Sequence, residues 1–328
     1  MKLVFVGAGA VGCMYGGMLL LSGHHVTFVG RPPHTDAVRE HGLHVSGVMG
    51  DHVLHPQITD DASTISRADF VFITTKAYDT LEAAREIRHL VDSGSYVVIL
   101  QNGIGTERAV ASELHTTRVI RATTCAGARK TSHNEVVITG FGVTEIGTHY
   151  PEHQDATQTV ASLIEKAGFP VRASANLDGL VWTKTIVNCG INPVGALTGM
   201  TNGEIHDCLS LRPVVIGLVD EATRVARAMG IHLTTDDPVR YTLGTAKATA
   251  SNINSMLQDL RAGKRTEIDH MTGAVVRLGR ELGVPVPLSE AVYALVTALE
   301  SKVRSRQQRL SREETLTPER LIQELTSS

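Results

Sequence analysis

Lys184, Asn188 and Asn192 recur at a four-residue spacing in the stretch Gly179–Pro193, GLVWTKTIVNCGINP. In a helix, residues four apart lie on one face, each step rising about 6 Å along the axis. One face then presents an ammonium and two amides in a row, beside Leu180, Val181, Trp182, Ile186, Val187 and Ile191. Asn is a mediocre helix former and costs free energy when buried without partners. Two of them on the stripe of a Lys, inside an apolar segment, need a reason. The competing reading is that Asn192 stops the helix before Pro193 and Lys184 snorkels to water.

A second group of residues with chemical meaning opens the chain. Leu3–Val6 is a short apolar run of strand type, followed at once by Gly7-Ala8-Gly9-Ala10-Val11-Gly12, a helical segment Cys13–Ser22 and a strand His25–Val29. Strand, G-x-G-x-x-G, helix and strand within about 30 residues is the unit that binds a dinucleotide. Gly7 allows the tight turn, Gly9 lets the backbone approach the pyrophosphate, and Gly12 lets the helix pack on the strand. The helix N-terminus turns its amides and partial positive charge toward the phosphates. An NAD-binding protein places Asp or Glu at the end of the second strand for the ribose 2′-hydroxyl. Here the sequence reads Val29-Gly30-Arg31, and Asp36 is too far along to be that acid. Arg31 can pair with a 2′-phosphate, which favours NADP; the alternative for Arg31 is a solvated loop residue.

Strands and helices alternate to about residue 175. Asp69–Thr74 reads as a buried strand ending in Thr75-Lys76, Asp79–Leu90 as a helix, and Tyr96–Leu100 as a strand running into Gln101-Asn102-Gly103-Ile104-Gly105. Ligands of a doubly wound sheet sit beyond the carboxyl ends of its strands. Lys76 and Asn102 share that edge, which points to contact with cofactor or substrate rather than to a surface lysine and a plain Asn-Gly turn. Val119–Thr124, Val136–Ile138, Thr144–Ile146 and Pro170–Ala173 read as further strands, Thr157–Ala167 as a helix, and His34–Asp61 as a polar, His-rich excursion. Beyond Asn176 no strand is expected. Arg212–Met229 has the helical period and stops at Gly230, Asn254–Ala262 at Gly263, and Glu267–Leu282 at Gly283, while Ser289 can cap Glu290–Val303. The expected fold is α/β: a Rossmann-type dinucleotide-binding domain over 1–176, followed by an all-helical domain over 177–328. The polar tail after about 303, with a loose helix at Thr317–Leu325, carries no assigned chemistry.

Composition agrees with two globular domains: 328 residues, 42% hydrophobic, 20% charged, net charge −3. Nothing in that balance suggests nucleic-acid binding. Cys13, Cys125, Cys189 and Cys208 are scattered without a C-x-x-C pair, so neither a metal site nor a disulfide framework is indicated. Residues 1–22 superficially resemble a signal peptide, but five glycines interrupt them. No stretch reaches the roughly 20 apolar residues of a membrane span. A cytoplasmic location is expected.

The chain resembles the ketopantoate reductase family. The resemblance rests on the N-terminal GAGAVG, the Lys in ITTKAYDT, the QNGIG loop, WTKTIVNCGINP and NSMLQDLRAGKRTEID, in order and with their spacing intact from residue 4 to about 290. It implies an active site in a cleft between two domains, with Lys184 as the general acid that protonates a ketone oxygen as hydride arrives at the carbon. It implies Asn188, Asn192 and Asn202 as substrate contacts, Ser255 as the carboxylate-binding residue, and Asn102 as a contact to both cofactor and substrate. Glu267, Lys76 and the backbone of Ala128 would serve the cofactor side. Ketone reduction passes through an alkoxide-like state, which a positioned cation both stabilises and protonates. The expected reaction is NADPH-dependent reduction of 2-dehydropantoate to (R)-pantoate in pantothenate and coenzyme A synthesis. The alternatives are reduction of another branched 2-oxo acid by the same machinery, or a non-catalytic NADP sensor. A homodimer is expected.

Overall fold

The computed structural model describes residues 1–315, with side chains to Arg306. The expected helix at Thr317–Leu325 lies outside the described residues. Twelve strands and thirteen helices follow one another in the described chain. Strand β1 is Lys2–Val6, helix α1 Ala10–Leu21, β2 His25–Val29, α2 His34–His41, β3 Leu43–Gly47, β4 His52–Leu54 and β5 Gln57–Thr59. Then come β6 Phe70–Ile73, α3 Thr80–Glu86, α4 Arg88–Asp92, β7 Tyr96–Ile99, α5 Thr106–Leu114, β8 Val119–Thr124, β9 Gly127–Lys130, β10 Glu135–Gly140 and β11 Thr144–Gly147. Next are α6 Gln154–Lys166, β12 Val171–Ala173, α7 Leu177–Thr198, α8 Asn202–Asp207 and α9 Arg212–Ala228. The last four helices are α10 Pro238–Ala248, α11 Ser255–Arg261, α12 Thr272–Leu282 and α13 Pro287–Thr315. No strand follows β12 among the described residues.

The chain divides into two compact units, Met1–Trp182 with His232–Thr234, and Thr183–Ile231 with Thr235 onward. The first unit is built on an eight-stranded sheet in the order β12-β11-β8-β7-β6-β1-β2-β5. It is parallel except where β11 runs against β8. Chain order reverses between β6 and β1, the switch point where this architecture binds ligands. Both faces of the sheet are buried. Leu3 and Phe5 of β1 point into a core with Met14, Phe28 and Phe72, while Val4 and Val6 point into another with Ile73, Ile87 and Ile99. Burial on both sides is why these strands read as continuous apolar runs rather than as alternating ones.

A second sheet, β4-β3-β10-β9, joins β10, expected as a strand at Val136–Ile138, to three strands from the His-rich excursion and from Gly127–Lys130, which were not expected. Those three strands are short and partly exposed, so apolar patterning marks them weakly. The helix expected at Asp79–Leu90 is a short 3₁₀ turn at Ala77–Asp79 followed by α3 and α4, divided at Ile87.

The second unit is helical. The helix expected at Glu267–Leu282 is broken at Met271, because the segment before the break is tied to α13 instead of winding on. Thr266 donates its amide and hydroxyl to Glu300 at 2.8 and 2.7 Å, and the Tyr293 hydroxyl donates to Asp269 at 2.7 Å. Ser289 does not open α13 as a side-chain cap. The helix begins at Pro287, and the Glu221 carboxylate of α9 accepts the amides of Leu288 and Ser289 at 3.0 and 2.7 Å. That carboxylate satisfies donors a helix start would otherwise leave unpaired.

Candidate active site

In the first unit, Val29, Val6, Ile73 and Ile99 are register partners across four neighbouring parallel strands. The chain therefore leaves those strands along one edge, through Gly30-Arg31, Gly7–Gly12, Thr74–Lys76 and Leu100–Gly103. The structure brings the predicted residues Gly7, Ala8, Gly9, Ala10, Val11, Gly12, Arg31, Lys76 and Asn102 to that edge.

The turn after β1 is shaped by close packing. Gly7 has φ +104° and donates to Val29 O at 3.0 Å. A Cβ on Gly12 would lie 2.2 Å from Gly7 O and 2.6 Å from Thr74 Oγ1. A Cβ on Gly9 would meet no protein atom within 4 Å. The bare backbone at Gly9 thus faces open space, as a phosphate-approach position requires. Helix α1 starts at Gly9 with no side-chain cap and no acid in its first turn. Its leading amides lack partners within the helix, which makes the turn fit an anion such as a pyrophosphate.

Lys76 is partly buried and opens the 3₁₀ turn after β6. Its position is held by Gln101, which the sequence motif contains but to which no role was attached. The Gln101 amide donates to Thr75 O at 2.7 Å and accepts from the Thr80 hydroxyl at 2.9 Å. Arg31 is 73% exposed and stands 3.6 Å from the Glu82 carboxylate. An exposed pair of this kind contributes little, about 0–1 kcal/mol, so it leaves the guanidinium available to a phosphate. Ala128 lies apart from this row, on β9, an edge strand of the second sheet paired with β10 alone.

In the second unit and the base of α7, the structure sharpens the opening motif. From Gly179 to Ala196 every residue of α7 is buried except Lys184 and Asn188, which are partly exposed. Asn192, one turn on, is 6% exposed. Asn192 does not end the helix: α7 continues through Pro193 to Thr198. A proline inside a helix forfeits one backbone bond to the residue four before it. Burial of the apolar residues on both sides keeps the helix continuous.

Asn202 is the first residue of α8 and Ser255 the first of α11, and the start of α8 is tied to the segment that joins α10 to α11. Asn202 N donates to Asn252 O at 3.0 Å, and the Asn202 amide to the Thr249 hydroxyl at 2.8 Å. Asn254, to which sequence reasoning gave no role, caps α11 by accepting from Leu257 N at 3.1 Å. Its Nδ2 packs against Gly195 of α7, where a Cβ would lie 2.1 Å away. The Nδ2 of Asn254 and the Oδ1 of Asn202 are both buried without a hydrogen-bond partner. Buried polar atoms are nearly always paired, so each of these orphans is an exception to the pattern of a plain core. An Asn before a helical apolar run is the signal that could have singled out Asn254. Glu267 is placed on a different segment, 5% exposed, next to the anchored Thr266.

Burial pushes the thiols of Cys13 and Cys189 up to about 12, so both are neutral and neither is a nucleophile. Among the described residues no cluster of His, Cys, Asp or Glu could hold a metal ion, and no helix is long and apolar enough to cross a membrane.

A glycine turn opening onto an uncapped helix at the switch point of a doubly wound sheet, in a chain that continues into helices, is the arrangement of a dinucleotide-binding reductase. The chain belongs to the ketopantoate reductase family. The model described as Ketopantoate reductase PanE/ApbA matches residues 3–151, and the one for the family's C terminal matches residues 176–300. The chain is similar to the 2-dehydropantoate 2-reductase of Pyrococcus abyssi, with 33% identity over 92% of this chain and 98% of that one. It is similar to the crystal structure of a PanE/ApbA family ketopantoate reductase from Ralstonia eutropha JMP134, with TM-score 0.85, 34% identity, and 93% and 100% of the two chains covered. A D-mandelate dehydrogenase solved with NADH and anilino(oxo)acetate shares the fold, with TM-score 0.87 at 24% identity over 92% and 99% of the chains.

Proposed function

We propose that the protein reduces 2-dehydropantoate to (R)-pantoate with NADPH, residues 1–176 binding the cofactor and 177–328 the substrate. The observation that carries this reading is that Lys184 and Asn188 alone stay accessible in the buried run Gly179–Ala196. The nicotinamide supplies the hydride when bound. Gly7–Gly12 hold the pyrophosphate through the leading amides of α1, and Arg31 pairs with the 2′-phosphate. Lys76, Asn102, Glu267 and the backbone of Ala128 complete the cofactor contacts. Asn188, Asn192 and Asn202 hold the substrate's hydroxyl and body, Ser255 its carboxylate, and Asn102 touches both ligands. Lys184 donates the proton to the carbonyl oxygen. Its ammonium is favoured as an acid because charge appears on that oxygen as the carbon is reduced, and positioned proton transfer contributes roughly 10²–10⁴-fold.

With this reading go a place in pantothenate and coenzyme A synthesis, a cytoplasmic location and a homodimer acting on a small 2-oxo acid. Relatives named 2-dehydropantoate 2-reductase support it over most of their length. Steady-state kinetics across a panel of branched 2-oxo acids test it, with NADPH and NADH run side by side. Ketopantoate should give the highest kcat/KM. A better substrate elsewhere in the panel would retain the machinery and reassign the acid, and binding of NADPH without any turnover would favour a sensor. Arg31→Ala should weaken NADPH binding by about tenfold, as loss of a charge-assisted contact predicts, and leave NADH binding nearly unchanged. Equal losses for both would remove the 2′-phosphate assignment.

A further inference from the structure

A charged residue in the middle of a buried strand, Arg121 of β8, has no part in the site described above. It is 1% exposed and sits beside the end of β7, as the register partner of Ile99. Its guanidinium reaches into the loop that follows β7. One nitrogen, Nη2, donates to Gln101 O at 2.7 Å and to Gly103 O at 3.0 Å, the carbonyls on either side of Asn102. The other, Nη1, donates to the Thr106 hydroxyl at 2.8 Å, at the first residue of α5. Glu107 of α5, also buried, places a carboxylate oxygen 3.6 Å from Arg121 Nε. His149 stands 3.8 Å from Glu107 and 3.6 Å from Asp178 in the first turn of α7. Arg108 completes the series with two bonds to Asp178, at 3.0 and 3.1 Å.

Burying a guanidinium is expensive unless its donors are satisfied. An apolar residue would fill the strand position more cheaply, so stability alone does not call for Arg121. What the guanidinium supplies is geometry. Its planar fork has donors in fixed directions, and here they grip the loop before and after Asn102 and at the start of α5. The backbone of Asn102 is thereby held between two pinned carbonyls. We propose that Arg121 is a positioning residue, which sets the Asn102 side chain at the sheet edge for contact with the dinucleotide. The proposal rests on the assignment of Asn102 made above.

The test is a double-mutant cycle between Asn102→Ala and the pair Arg121→Met with Glu107→Gln, the second substitution preventing an unpaired buried carboxylate. NADPH dissociation constants are measured by nicotinamide fluorescence, alongside kcat/KM and melting temperature. Each arm alone should weaken NADPH about tenfold, the scale of one lost hydrogen bond to a charged or buried partner. Combined, they should lose no more than either does, because Arg121 acts through Asn102. Arg121→Lys keeps a charge against Glu107 without the fork, and should hold the melting temperature near wild type without restoring the affinity. Losses that multiply, full affinity in the Arg121 variants, or recovery of affinity by Arg121→Lys would each overturn the proposal. Normal NADPH binding by Asn102→Ala would overturn it together with the assignment of Asn102. A wild-type protein that binds NADPH but leaves ketopantoate unreduced would instead overturn the substrate reading, and the cycle would still be read on NADPH affinity.

Discussion

The strand edge of the first unit and the helix faces of the second, the two surfaces proposed to meet ligands, are built in opposite ways. At the strand edge the proposed contacts are largely backbone, and side chains stand behind them as braces. Thr74 holds the Gly7 carbonyl, Gln101 holds Thr75 ahead of Lys76, and Arg121 holds the loop around Asn102. On the helices the proposed contacts are the side chains themselves. Lys184 and Asn188 project from an otherwise buried stretch, and the orphaned atoms of Asn202 and Asn254 are side-chain atoms. A backbone site is disturbed by changing what surrounds it, whereas a side-chain site is deleted by truncation at Cβ.

Three experiments would break or sharpen that contrast. The largest effect is expected at Lys184. Lys184→Ala should lower kcat by roughly 10²–10⁴-fold while NADPH affinity stays within about twofold. A matching loss of cofactor affinity would show that the helical face also serves the dinucleotide and would blur the contrast.

The glycine turn gives the next effect, and it separates bracing from contact within a few residues. Gly12→Ala forces a Cβ onto Gly7 O and Thr74 Oγ1, so unfolding should become easier by about 1–3 kcal/mol, visible in thermal melts. Gly9→Ala adds a methyl where no protein atom lies within 4 Å. Its melting temperature should stay near wild type, while NADPH binding weakens by about tenfold because the methyl occupies the approach to the pyrophosphate. Unchanged NADPH affinity in Gly9→Ala would remove that position from the cofactor site.

The smallest effect is expected in acid. Burial alone would raise the Glu107 carboxyl, but His149 and Arg121 outweigh it and hold the group below its usual value. A carboxyl depressed in the folded state contributes stability that is fully present above its unfolded pKa of about 4.3 and is lost as pH falls through the folded value. Glu107→Gln lacks that contribution. Its melting temperature should therefore decline less steeply than wild type below about pH 4, and an identical acid limb would show that the buried network contributes nothing to stability.

Much of the strand-edge half was legible in the chain. The glycine spacing, the apolar runs of β1, β6 and β7, and the residues that follow them are local features, and a doubly wound sheet lines up its strand ends by its own geometry. The braces were not legible. Gln101 and Arg121 act on carbonyls that any residue could present, so nothing in their neighbours announces the contact. Arg121 left one trace, a charge in the middle of a segment read as a strand. In the helical half, the four-residue spacing of Lys184, Asn188 and Asn192 marked the face. The docking of the α8 start on the segment after α10 could not be read, because it joins Asn202 to Thr249 and Asn252 across a long separation.

Near neighbours alone dictate the turn at Gly7, the buried strands, the period of α9, and the spacing on α7. These follow from backbone sterics and side-chain period over a few residues. Only the tertiary structure decided the second sheet, in which β3 pairs with β10 from far along the chain. It also decided the start of α13, which takes its cap from Glu221, 67 residues before Leu288. The passage of α7 through Pro193 belongs with these, since burial of the surrounding residues outweighs the one lost bond. In each case the deciding partner is remote in sequence, and the free energy comes from contacts that exist only once the chain has folded.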